Sequence, residues 1–192
     1  MFEFFHRRKI DSKNSDELTT VLNEAEPINN MGSDTVEQFV TMASYQGKNL
    51  IQFSQELFSL IARQKEISQG VFFLCDRTNG TPVLKFLSGY ACQDISGTED
   101  NLQIGEGLPG QVAKDGKLMN ITDIPEGYMS IESGLGKASP ASLIIFPIIH
   151  EGTLLAVIEL ASFHKFSQAD EQFFEDISPA IAEQMLKSIS NS

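Results

Sequence analysis

Residues 141–162 read ASLIIFPIIHEGTLLAVIELAS, two apolar runs of strand length, rich in Ile, Val and Leu, separated by His150, Glu151, Gly152 and Thr153. Glu-Gly between two such runs is hairpin punctuation, because glycine tolerates the positive φ that a tight turn demands. Neither run (143–149, 154–160) alternates cleanly between apolar and polar, so neither strand has a face left open to water. The sheet they belong to is therefore covered on both sides. One cover is a pair of helices; the other comes from elsewhere in the chain, and a ligand pocket would form beneath it. Pro147 cannot donate to a ladder, so a bulge or an unpaired position is expected there.

The helices lie on either side of this stretch in sequence. Val36, Val40, Ala43, Leu50, Leu57 and Ile61 recur at spacings of four and three, and Phe39, Phe53 and Leu60 widen the stripe. They predict a helix of about eight turns from a cap at Ser33 or Asp34 to about Lys65. That is longer than one domain needs, and a dimer seam is its natural second use. After the hairpin, Ser167 is a good N-cap, Asp170 and Glu171 suit the positive end of a helix dipole, and Phe173, Phe174, Ile177, Ile181, Met185, Leu186 and Ile189 follow at helical spacing. Pro179 predicts a kink. Between the helices, GVFFLC (70–75) and PVLKFLSGY (82–90) are strands around the turn DRTNG. Residues 91–101 are irregular, 102–116 turn into a short helix at Pro109, 118–121 form a short strand, and 123–128 and 131–140 are loops.

A chain of 192 residues supports one domain plus extensions. Residues 1–33 have the polar composition of a flexible tail and linker, leaving 34–192 as the domain. The opening aromatic and basic residues, Phe2, Phe4 and Phe5 before His6, Arg7, Arg8 and Lys9, read as a loose terminus, with docking to a partner groove or anionic lipid as the alternative. Fourteen Lys and Arg against 26 Asp and Glu give a net charge of −12, a surface that repels nucleic acid. Cys75 and Cys92 are too few for a disulfide framework. With Asp76 to Gly80 as a turn, Cys75 lies opposite residue 81 or 82, out of reach of Cys92, and both are read as reduced in a cytoplasmic protein. No run approaches the ~20 apolar residues of a membrane span, and no secretory signal opens the chain.

Gly105-Glu106-Gly107-Leu108-Pro109-Gly110 matches the G-x-G-x-x-G pattern of dinucleotide sites, but an irregular segment precedes it and the helix that follows ends at Gly116. The glycines instead make a tight entry to a short helix with Pro109 at its first position. Leu118 follows Gly116-Lys117, so no phosphate loop is formed. His6, His150 and His164 are far apart with no ligand-spaced partners, no nucleophile motif is present, and the acidic pairs Asp170-Glu171 and Glu175-Asp176 read as a solvated helix face. No catalytic residue, metal site or cofactor is expected.

Residues 105–112 (GEGLPGQV), 120–140 (NITDIPEGYMSIESGLGKASP) and 144–173 (IIFPIIHEGTLLAVIELASFHKFSQADEQF) resemble the GAF domain family, modules of small-molecule sensing and dimerisation. The resemblance runs from about Thr35 to Ile189 and is strongest to GAF modules of bacterial membrane-bound sensor kinases. It implies an α+β fold: a central six-stranded antiparallel sheet, N- and C-terminal helices on one face, and pocket-closing loops and short helices on the other. Cyclic-nucleotide-binding members carry Asn-Lys and then Phe-x-x-x-Asp-Glu; this chain has Phe166, Asp170 and Glu171 but Ala161-Ser162 in place of Asn-Lys. The free methionine sulfoxide reductases of this fold use cysteines in and near the Gly-rich turn, where Leu108 and Pro109 stand here. Bilin-binding members need Cys or His near the pocket loops, and 128–140 has neither.

With no transmitter module after Ile189 and no membrane span or HAMP-type linker before Thr35, a free-standing regulatory module is expected. It would bind a small molecule or a signalling partner and act through a helix-mediated homodimer. Leu108 on the short helix and Tyr128, Ser130, Ile131 and Ser133 on the closing loop are the expected ligand contacts. An anionic ligand would use backbone N–H groups at the start of that helix, although Glu106 opposes it. The alternative is a scaffold or adaptor whose pocket is filled by its own side chains and which docks through its N-terminal tail.

Overall fold

The computed structural model describes residues 49–92, 101–133 and 136–190. The expected tail and linker over 1–33, and the first half of the expected long helix, lie outside them. The elements are α1 (Leu50–Gln64), β1 (Gln69–Asp76), β2 (Val83–Tyr90), β3 (Asn101–Gln103), α2 (Gly107–Asp115), β4 (Met119–Ile121), β5 (Ile131–Ser133), β6 (Gly136–Ala138), β7 (Ser142–His150), β8 (Thr153–Ser162) and α3 (Gln168–Ser190). Six strands form one antiparallel sheet in the order β3-β2-β1-β8-β7-β4.

The β7–β8 hairpin lies inside that sheet, with β1 on its far side and β4 on its near side. Glu151 and Gly152 both take positive φ, 47° and 74°, as the type I′ turn requires. Pro147 falls where β4 has already stopped, since β4 pairs only with 143–145, so its missing N–H costs no ladder bond on that side. The expected irregularity comes one residue later, between Ile148 and Ile149.

The burial pattern of β8 explains the near-continuous apolar run. Ala156, Ile158 and Leu160 point to one face and Val157, Glu159 and Ala161 to the other, and all six are buried. On the first face α3 lies along β7, with Phe146 and Phe174 stacked at 5.0 Å between ring centroids, and α1 lies along β2. A buried hydrogen bond of 2.6 Å joins Ser54 of α1 to Ser88 of β2. Gly70 on β1 admits the Phe58 ring; a Cβ there would lie 2.7 Å from it.

Three local expectations are corrected. The first helix does not run unbroken from residue 34: Asn49 is extended (φ −72°, ψ 163°) and caps α1 through a reciprocal capping box with Gln52. The 131–140 segment is not all loop, because β5 and β6 form a small two-stranded hairpin. Cys75 faces Leu84, not residue 81 or 82. Helix α3 runs on across Pro179, with Ser178 Oγ donating to the Phe174 carbonyl at 2.6 Å. Among the described residues no helix is long and apolar enough to cross a membrane.

Candidate functional site

The second face of the sheet is covered by α2, which packs on β7 and β8, and by the segment after β4. Gly107, Gly110 and Gly116 shape α2. Gly110 comes so close to the preceding turn that a Cβ would sit 2.5 Å from the Gln103 carbonyl oxygen, and Gly116 ends the helix in the left-handed region at φ 62°. The G-x-G-x-x-G pattern therefore serves backbone packing. Glu106 stands at the N-cap of α2 and its carboxylate accepts from the Gln103 N–H at 2.8 Å, which places negative charge where an anion would have to approach.

Val112 of α2 meets Val71, Phe73, Leu84, Ile145 and Val157 in one apolar cluster, and Ile131 meets Leu143 and Ala161 in a second. Leu108 packs against both. Tyr128 packs on the second cluster and donates from its hydroxyl to Glu159 Oε1 at 2.9 Å. Glu159 is 6% exposed, on the inner strand β8, with Val71 of β1 and Ile145 of β7 directly across from it. Burial raises its carboxyl to about 7, and the hydrogen bond from Tyr128 offsets only part of that rise. Burial and then the nearby Glu159 charge push the Tyr128 hydroxyl above its ordinary range, so it stays a donor.

Of the five residues singled out in the sequence, three thus converge. Leu108, Tyr128 and Ile131 share the apolar cluster beside Glu159, with Ile131 9% exposed. Ser130 is exposed, and Ser133 is described only as the β5 residue that pairs with Gly136. Glu159 itself was missed, although a lone acid in a run read as buried on both faces was the signal. Gln69, on the same face of β1, was also missed: its Nε2 donates to Cys92 Sγ at 3.3 Å and its buried Oε1 has no hydrogen-bond partner.

On the helix side, Asp170 is paired with a lysine. Lys65, just past α1, reaches Asp170 Oδ1 at 2.7 Å and lies 4.7 Å over the Phe173 ring. Burial would raise the Asp170 carboxyl, but the hydrogen bonds from Lys65 and Ser167 outweigh it and hold it below the usual carboxylate range. Both cysteines are free. Cys92 Sγ sits 3.3 Å from the Gly70 carbonyl, while Cys75 is five residues further along β1, roughly 17 Å away. The two cannot join without rearrangement of the sheet. A cleft of about 500 Å³ lies on the helix side, lined by Lys117, Pro147, Glu175 and Pro179 among others; none of the five expected contacts borders it.

A six-stranded antiparallel sheet with helices on one face and a closed-over polar spot on the other defines an α+β domain. The chain belongs to the GAF domain family, whose model matches residues 47–183. Solved structures agree on the fold. The GAF domain of a phosphoenolpyruvate-protein phosphotransferase from Coxiella burnetii is 21% identical, covering 82% of this chain and 92% of that one, with a TM-score of 0.62. Its counterpart from Acinetobacter is 18% identical over 85% of this chain and 98% of that one, at 0.65. The reduced free methionine sulfoxide reductase of Staphylococcus aureus is 16% identical over 82% and 97%, at 0.61. The fold therefore occurs both in GAF domains of a phosphotransferase and in a reductase.

Proposed function

We infer that this chain is a non-catalytic GAF-type regulatory module of a bacterial cytoplasm. It binds a small molecule between the sheet and the roof formed by α2 and residues 122–131, and it reports occupancy through α1 and α3 in a homodimer. The observation that carries this reading is Glu159: an ionisable group held in an apolar sheet face by one hydrogen bond from the roof. Packing alone would be served better by an aliphatic residue there, because an incompletely partnered buried carboxyl destabilises the fold. Ionisable groups perturbed in this way cluster at functional sites.

The non-catalytic reading rests on the thiols. Reactive cysteines are exposed and have depressed pKa values, whereas Cys75 is buried and its thiol pushed up by that burial. Replacing both cysteines by Ser leaves function intact on this reading; loss of function would favour the reductase-like alternative. The scaffold reading keeps one observation in its favour, the low exposure of Glu159 itself. A thermal-shift screen separates the two. A sensor gains stability by mass action from some member of a panel of nucleotides, amino acids, amines and aromatic acids, while a filled scaffold gains none. Light scattering on the full chain tests the dimer: a monomer at tens of micromolar would remove the proposed output.

A further inference from the structure

We propose that Gln69, Glu159 and Tyr128 form the head-group floor of this site, and that the floor selects a ligand carrying a protonated amine or amidine on an apolar body. The inference rests on the small-molecule reading above and deepens it.

Gln69 and Val71 face the same side of β1, and they stand opposite Ala161 and Glu159 of β8. Gln69 is therefore the diagonal neighbour of Glu159, a separation of roughly 7–8 Å between positions, which one small head group can span. Both groups have acceptor capacity to spare. Gln69 Oε1 is buried without a partner, and the Glu159 carboxylate, which can accept about four hydrogen bonds, receives one. No basic side chain is among the groups that shift Glu159, and its cross-strand neighbours are Val71 and Ile145. Among the basic side chains of the strands and the first helix, Lys65 binds Asp170, Lys85 binds Asp76 and Arg77 donates to the Leu154 carbonyl.

What is missing is thus a donor with positive charge. An ammonium offers three N–H donors and an amidinium four, enough to serve Glu159 and Gln69 together. A phosphate or carboxylate would set like charge against Glu159 and leave Gln69 Oε1 unserved. Leu108 and Ile131, in the same apolar cluster as Tyr128, would hold the apolar body. Tyr128 connects this chemistry to the roof, since the oxygen it now donates to is one the ligand would share.

The test uses the full chain, with 2-phenylethylamine and benzamidine as probes and 2-phenylethanol and phenylacetate as neutral and anionic controls of similar shape. The amines are expected to raise Tm at pH 8 and the controls not to. Glu159→Gln should weaken amine affinity at least tenfold while the variant remains folded, and Gln69→Leu should weaken it severalfold. Calorimetry at pH 6 in two buffers should detect release of a proton on amine binding, a signature that surface binding of an amine would lack. Equal shifts in wild type and Glu159→Gln, or no shift with either amine, overturn the proposal. Stabilisation by phenylacetate or phenylethanol alone overturns the head-group assignment but leaves the small-molecule reading standing. No stabilisation by any compound of the wider screen removes the sensing reading as well.

Discussion

Replacing Glu159 by Gln keeps the shape of the side chain and an acceptor for Tyr128 but removes the charge. In the folded protein burial raises the Glu159 carboxyl from its ordinary 4.5 to about 7. At ~1.4 kcal/mol per pKa unit the difference amounts to roughly 3 kcal/mol. The sign follows from the protons held. Between about pH 4.5 and 7 the folded state retains a proton that the unfolded chain has lost, so stability falls as pH rises through that window and levels off above it. Wild type therefore carries the full cost at pH 8 and almost none at pH 4. The variant carries none at either pH, so it should be more stable than wild type by up to roughly 3 kcal/mol at pH 8 and nearly equal to it at pH 4.5. For a domain of this size that is on the order of 10 °C in Tm at pH 8. Urea unfolding followed by circular dichroism at the two pH values measures it, and the other carboxylates cancel in the difference between proteins. A stability difference that is the same at both pH values, or a variant less stable at pH 8, would refute the account of Glu159 as a strained buried acid.

Other substitutions probe the frame around the site. Gly110→Ala should destabilise by about 2 kcal/mol or more, because its Cβ would meet the Gln103 carbonyl at 2.5 Å and backbone must move; a midpoint within error of wild type in denaturant would contradict this. Ser88→Ala breaks the buried bond to Ser54 and should cost about 1 kcal/mol, read by the same titration. Asp170→Asn removes the charged partner of Lys65 and weakens the cap on α3, in which the Ser167 N–H donates to Asp170 Oδ2 at 2.8 Å. The loss should be about 1 kcal/mol at pH 7. Since the folded Asp170 pKa is lowered, that loss should shrink as pH falls through the carboxylate range; a loss as large at pH 2.5 as at pH 7 would count against it.

The hairpin could be read because two physical demands coincide on it: an inner strand needs apolar residues on both faces, and a tight turn needs positive φ, met by Glu151 and Gly152. The family resemblance supplied the strand count and the placing of helices and loops. The sequence misled where one strong signal masked another. The apolar stripe from Val36 to Ile61 hid the Asn49–Gln52 capping box, a helix start written in the sequence as Asn-x-x-Gln. Strands of three residues, as in β5 and β6, are too short for periodicity to register. Lys65 as the partner of Asp170, 105 residues apart, and Gln69 as the neighbour of Glu159 depend on strand register and tertiary packing, which no local pattern carries.

The two faces of β8 tie the site to the helices. Glu159 and Leu160 are successive residues with opposite outlooks, and Leu160 stands across from Gly70, on which the Phe58 ring of α1 rests. One residue beyond Ala161, Ser162 Oγ donates to the Glu66 carbonyl just after α1, and Lys65 binds the first turn of α3. A ligand that draws Glu159 toward the roof therefore pulls on a strand whose other face carries the α1 contact, with no flexible segment between them. Because close-packed interfaces shift between discrete arrangements more readily than they deform, the effect should concentrate at α1 and the start of α3. Hydrogen exchange on adding a stabilising ligand would then change at α1 amides as well as under the roof. Protection confined to the roof would mean that binding and output are uncoupled in this domain.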